Sequence, residues 1–115
     1  MIKTERDGDC TVISFEVDSI NASNMAEFMR RIRPLIQPGA KLFFDLECLK
    51  RLDISGLGAF LSILKDLKEL GGGMIAYNQG SSVKTLFDMV DAGQVIPIFS
   101  SRTEAKQNLL GSAPL

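Results

Sequence analysis

The chain has 115 residues, 45% hydrophobic and 23% charged, a size and balance that fit one globular domain burying about two-thirds of the surface its unfolded chain would expose. Thirteen basic against fourteen acidic residues leave a formal charge of −1, without the basic excess that nucleic-acid binding draws on. The absence of histidine excludes Ser-His-Asp and Cys-His catalysis, His-ligated zinc and histidine phosphorelay together.

Two β-type segments, MIKTER and TVISFEV, open the chain around Asp7-Gly8-Asp9, an antiparallel hairpin signal. Met25, Phe28, Met29, Ile32, Leu35 and Ile36 then recur at helical spacing, with Asn21 or Ser23 available as N-cap and Pro38-Gly39 as the stop. KLFFDL at 41–46 is an apolar run without alternation, as expected of a central strand buried on both faces. The connector ECLKRLD leads to the strongest helical pattern in the chain, Leu57, Phe60, Leu61, Leu64 and Leu67, stopped by Gly71, Gly72 and Gly73. GMIAYN reads as the next strand, and Ser82 as the cap of a third helix burying Val83, Leu86, Phe87 and Val90 before Gly93. VIPIF and a last helix near TEAKQNLL complete the series. After the hairpin, strand and helix alternate, which predicts an α/β domain with a mostly parallel sheet and right-handed crossovers. Cys10 and Cys48 form no CxxC pair and are expected as two buried, reduced thiols. The charged N-terminal segment and the lack of any ~20-residue apolar stretch predict a cytoplasmic protein without direct membrane insertion.

The segment Leu52-Asp53-Ile54-Ser55-Gly56-Leu57-Gly58 lies where a loop becomes the start of the second helix, the usual place for function in an α/β sheet. Ser55 reads as an N-cap, and that role alone could account for it. Two glycines in one helical turn each cost about 1 kcal/mol against alanine, so a close approach of another backbone or a partner is expected. A nucleophile elbow fails because Asp53 and Leu57 stand where it needs glycine, and an aspartic-protease triplet fails because Ile54 intervenes. No GxxxxGK phosphate loop exists anywhere in the sequence. Ser55 remains apt as an acceptor of phosphate, since a helix N-terminus favours a phosphoryl group by ~0.3–1 kcal/mol.

From KLFFDL through Leu49 to LDISGLGAFL, then Gly72-Gly73 and VKTLFDMVDAGQVIPIF, the sequence resembles the STAS-domain family, specifically the anti-sigma-factor antagonists of bacterial partner-switching systems. The resemblance covers residues 8 to 110 and implies a single STAS domain over 1–115, a four-to-five-stranded mixed sheet flanked by about four helices. It implies a non-enzymatic protein without cofactors whose partner is an anti-sigma factor that is itself a serine kinase of the histidine-kinase-like ATPase type. That kinase would phosphorylate the serine before Gly-Leu-Gly, here Ser55, ending the binding that frees the sigma factor, and a PP2C-type phosphatase would reverse it. The kinase-binding surface carries over to Asn21, Asp53, Ile54, Ser55, Gly56, Leu57 and Gly58, although Leu57 also lies on the apolar stripe and reads as core. Asn21 stands where the family often has an aspartate, and Ile54 where it has serine or threonine. The neutral Asn21 favours a second reading, a non-phosphorylated STAS interaction subunit of a transporter-associated or stress-sensing complex. A small-molecule or nucleotide-binding domain is the third and has no motif behind it.

Overall fold

The structure, a computed structural model, describes residues 1–89 and 95–111. Its first elements are the expected hairpin, β1 (Ile2–Asp7) and β2 (Cys10–Phe15), joined through Gly8 at φ +63 and Asp9. Glycine at the first central position with φ > 0 is the type II′ pattern, which suits the twist of the strands it joins. The short β3 (Ser19–Ile20) follows, then α1 (Met25–Ile32).

The first helix is shorter than its apolar spacing predicted. Pro34 sits in a single 3-10 turn, Arg33–Leu35, because proline has no N–H to continue the α-helical ladder. Its cap also differs. Asn24 occupies the N-cap position without a side-chain cap bond, and Asn21 instead folds its own turn, accepting from Ser23 N at 2.9 Å.

β4 (Lys41–Asp45), β5 (Arg51–Leu52), α2 (Ile54–Glu69), β6 (Gly73–Tyr77), α3 (Ser81–Met89), β7 (Ile98–Phe99) and α4 (Arg102–Gly111) complete the order. The five-stranded sheet runs β1-β2-β4-β6-β7, antiparallel only between β1 and β2. α2 is capped at Leu70, with Gly72 N donating to Leu67 O at 2.8 Å and Gly71 N to Lys68 O at 3.1 Å, the paired bonds of a Schellman cap. α3 begins two residues earlier than the Ser82 cap implied: Gly80 O accepts the first helical bond from Lys84 N at 2.9 Å, leaving Ser82 inside the helix. Val83 and Phe87 are buried there, while Val90 and Gly93 fall outside the described residues.

Because each parallel strand is added on the same side of the last, α1, α2 and α3 collect on one face of the sheet. There Phe15, Phe28, Phe44 and Phe60 form a ring cluster with centroids 5.4–6.4 Å apart, closed by Ile13, Leu64 and Phe87. The other face, built from Cys10, Val12, Phe43, Ile75 and Tyr77, is covered by α4 through Ala105. Cys10 is buried there, and burial pushes its thiol pKa up. Cys48 corrects the expectation of two buried thiols: it is exposed, in the turn between the buried Leu46 and Leu49. Among the described residues no helix is long and apolar enough to cross a membrane.

α4 is held by charge as well as by packing. Arg102 Nε donates to the Tyr77 hydroxyl at 3.0 Å and Arg102 Nη2 to Glu5 at 2.8 Å, while Lys106 Nζ lies 2.9 Å from Asp7 Oδ1. The helix therefore ties β6 to β1 across the sheet.

Candidate functional site at the start of the second helix

β3 and β5 form a separate two-residue parallel ladder, Ser19 beside Arg51 and Ile20 beside Leu52. Lys50 N and Arg51 N both donate to Asp18 O, at 2.7 and 3.0 Å, and Asp53 N reaches Ile20 O at 3.4 Å. This small ladder stitches the Asn21 turn to the loop entering α2. Pairing over two residues leaves no alternation to read, so sequence pattern alone did not reveal it.

The cap of α2 is Asp53, not Ser55. Asp53 is extended, and its Oδ1 accepts from Gly56 N at 2.9 Å, satisfying one of the donors that the first turn leaves unpaired. Ser55 consequently sits at the second helical position, half-buried, and its hydroxyl has no hydrogen-bond partner among the described residues. The N–H groups of Ile54 and Ser55 precede any helical acceptor, so they add their partial positive charge beside that hydroxyl.

The glycines divide the predicted surface. A Cβ on Gly56 would lie 2.9 Å from Ile20 O and 2.5 Å from Leu52 Cδ1, so the glycine lets α2 close against the β3–β5 ladder. Leu57 is 4% exposed and belongs to the phenylalanine-lined core. Gly56 and Leu57 thus underlie the site rather than form its surface, because both fall on the arc of α2 that faces the sheet. Gly58 is exposed and has open space around it, and Ile54 is 65% exposed. Leu61, expected in the core, is 37% exposed, and Ile63 takes an interior position instead. At 100° per residue Leu61 lies at the margin of the buried arc, in line with Ile54 and Gly58. An apolar strip therefore runs outward from Ser55.

Asn21 follows Ile20 directly, so the ladder carries its turn to the same end of the molecule as Ser55. Its amide is engaged within its own loop: Nδ2 donates to Ser19 Oγ at 3.0 Å, and Oδ1 accepts from the Ser23 backbone and hydroxyl. Asn24 Oδ1 in turn accepts from Asn21 N at 2.9 Å. Among the described residues no group of three or more potential metal-ligating side chains converges.

The STAS domain family matches residues 1–105 of the chain. The chain belongs to that family. This STAS domain is 30% identical over 92 residues to the anti-sigma-B factor antagonist of Bacillus subtilis (strain 168), covering 80% of the chain and 81% of that relative. Its fold is similar to that of an anti-sigma-factor antagonist (STAS) domain protein from Planctomyces limnophilus, with a TM-score of 0.83, 20% identity and 97% of each chain covered. The anti-sigma factor antagonist SpoIIAA in its unphosphorylated form gives 0.77 at 20% identity, over 99% of this chain and 100% of that one. The phosphorylated form of the Bacillus cell fate determinant SpoIIAA gives 0.69 at 20% identity, over 95% and 99%. At these identities the structural likeness speaks for the fold: the element order predicted an α/β domain with a mostly parallel sheet, and the five strands and four helices are what the resemblance implied.

Proposed function

We propose that this STAS domain is a cytoplasmic anti-sigma-factor antagonist switched by phosphorylation of Ser55. In the unmodified form it binds a serine-kinase anti-sigma factor with a histidine-kinase-like ATPase fold and thereby frees the sigma factor. With ATP in the kinase, Ser55 Oγ attacks the γ-phosphorus, ADP departs and the hydroxyl proton passes to a base of the kinase. A PP2C-type phosphatase returns the hydroxyl by hydrolysis, releasing inorganic phosphate.

The observation that carries this reading is the Ser55 hydroxyl itself, without a partner among the described residues, in the first turn of α2 beside the exposed Asp53 and Ile54. A phosphoryl group there meets the unpaired N–H groups of the first turn, so the domain tolerates it without refolding. A partner packed on Ile54 and Gly58 does not. It would meet about −1.5 to −2 added charge next to the Asp53 carboxylate, and a thousandfold loss of affinity requires about 4 kcal/mol.

The test combines wild type, Ser55→Ala and Ser55→Asp with the kinase and ATP. Phosphate is expected on wild type and absent from Ser55→Ala, and Ser55→Asp is expected to lose kinase binding. Phosphate persisting on Ser55→Ala, or Ser55→Asp binding as tightly as wild type, defeats the switch. The second reading, an interaction subunit of a transporter-associated or stress-sensing complex, is favoured by Asn21, which brings no charge to the site and whose amide is engaged in its own turn. Co-purification with a membrane ATPase instead of a soluble kinase selects it.

A further inference from the structure

β1 ends the sheet, and no strand lies along its outer edge among the described residues. Within an antiparallel pair, alternate residues aim their N–H and C=O groups at the partner while the others aim theirs away. The two-residue turn makes Asp7 and Cys10 a bonded pair, and Glu16 N donates to Met1 O at 2.8 Å, so odd-numbered residues of β1 face β2. The backbone groups of Ile2, Thr4 and Arg6 therefore point outward, unpaired.

Charged residues on an edge commonly serve to repel another strand. Here their order does the opposite for one occupant. When a second β1 approaches antiparallel, the outward residues can meet in three central registers. Centring on Lys3 sets Lys3 against Lys3, and centring on Glu5 sets Glu5 against Glu5 between two Lys3–Asp7 pairs whose aspartates are already held by Lys106 and Arg102. Centring on Thr4 sets Lys3 against Glu5 twice, in the non-hydrogen-bonded positions where opposed side chains come closest. Lys3 is exposed and its side chain has no ion pair or hydrogen bond among the described residues, and Glu5, whose Oε1 accepts from Arg102, keeps Oε2 for that contact. Arg6, the one charge whose backbone faces outward, folds back onto the hairpin, donating to Thr11 Oγ1 at 3.1 Å, and leaves the edge clear.

The geometry points to a second copy of this chain as the occupant: two β1 strands pair antiparallel about a two-fold axis at Thr4, merging two five-stranded sheets into one. The register gives about six backbone hydrogen bonds across the axis and two Lys3–Glu5 pairs. α2 packs against β6, two strands inward from β2, so both Ser55 sites stay clear of the junction. The dimer presents two acceptor serines that partners reach independently.

Sedimentation velocity over a rising concentration series tests this with two single variants and their mixture. Wild type is expected to self-associate reversibly. Lys3→Glu sets glutamate against glutamate at both pairs, and Glu5→Lys, which also gives up the bond from Arg102 and is first checked for an unchanged circular-dichroism spectrum, sets lysine against lysine, so each alone is expected to weaken self-association about tenfold or more. Mixed in equal amounts, the two variants restore both opposite-charge pairs, and association is expected to return to the wild-type level. Wild type remaining monomeric throughout overturns the proposal and leaves the edge to a strand of another protein. Single variants that associate as wild type does, or a mixture no tighter than either variant alone, overturn it equally.

Discussion

Gly56 and Gly58 stand two residues apart in one helical turn and meet opposite physical demands. An alanine methyl at 56 would press on the Ile20 carbonyl and the Leu52 side chain, a strain of about 1–3 kcal/mol. At 58 the same methyl enters open space and removes the entropic cost of glycine in a helix, a gain approaching 1 kcal/mol. In urea denaturation the midpoint of Gly56→Ala is expected to fall and that of Gly58→Ala to rise, with unchanged slopes. If Gly58 forms part of the surface proposed to meet the kinase, Gly58→Ala also weakens that proposed binding while the fold grows stronger, which separates contact from stability. At this scale the sequence was ambiguous in an instructive way. Asp53 and Ser55 are both capping residue types before the same apolar repeat, and only the extended backbone at Asp53 decides which hydroxyl or carboxylate reaches a first-turn N–H. Moving the cap two residues back is what leaves the Ser55 hydroxyl unengaged.

Among the elements, α4 depends on two groups whose titration lies at opposite ends of the pH scale. The hydrogen bond from Lys106, helped by Arg102, holds the Asp7 carboxyl below its ordinary range. The stabilisation from Asp7 is therefore complete above the value of an unfolded aspartate and disappears as pH falls through the lowered one. Burial pushes the Tyr77 hydroxyl above its ordinary value, partly opposed by the bond from Arg102, so its contribution holds below the unfolded tyrosine value and is lost as pH rises through the raised one. Because Tyr77 is the sole tyrosine and there is no tryptophan, ultraviolet titration reads it without interference. Its midpoint is expected above that of free tyrosine, and the protection of α4 amides, taken against their intrinsic exchange rates, is expected to fall at the acid end in wild type more than in Asp7→Asn. The elements themselves were legible where periodicity is long: the buried arc of α2 and the apolar β4 follow from residue spacing. Pro34 truncates α1 by removing a donor, and β7 shrinks to Ile98–Phe99 within VIPIF, outcomes that depend on backbone bonds rather than on hydrophobic pattern.

For the molecule as a whole, alternation of strand and helix was enough to predict the parallel sheet, while the β3–β5 ladder that assembles the site was not. Its two strands are 30 residues apart and only two residues long, so what joins them is a tertiary arrangement without a local signature. The bonds between α4 and β1 have a further consequence, in the order of events during folding. Arg102 and Glu5 are separated by 97 residues, and Lys106 and Asp7 by 99. Closing so long a loop is entropically unfavourable until the intervening sheet has formed, so α4 is expected to dock after the rate-limiting barrier. Ala105→Gly, which loosens that docking, is expected to speed unfolding about fivefold for each kcal/mol lost and to leave the refolding rate unaltered in stopped-flow measurements. The lifetime of the native state is then governed by its last-formed helix, while the speed of folding is set by the hairpin and the phenylalanine-lined face that form before it.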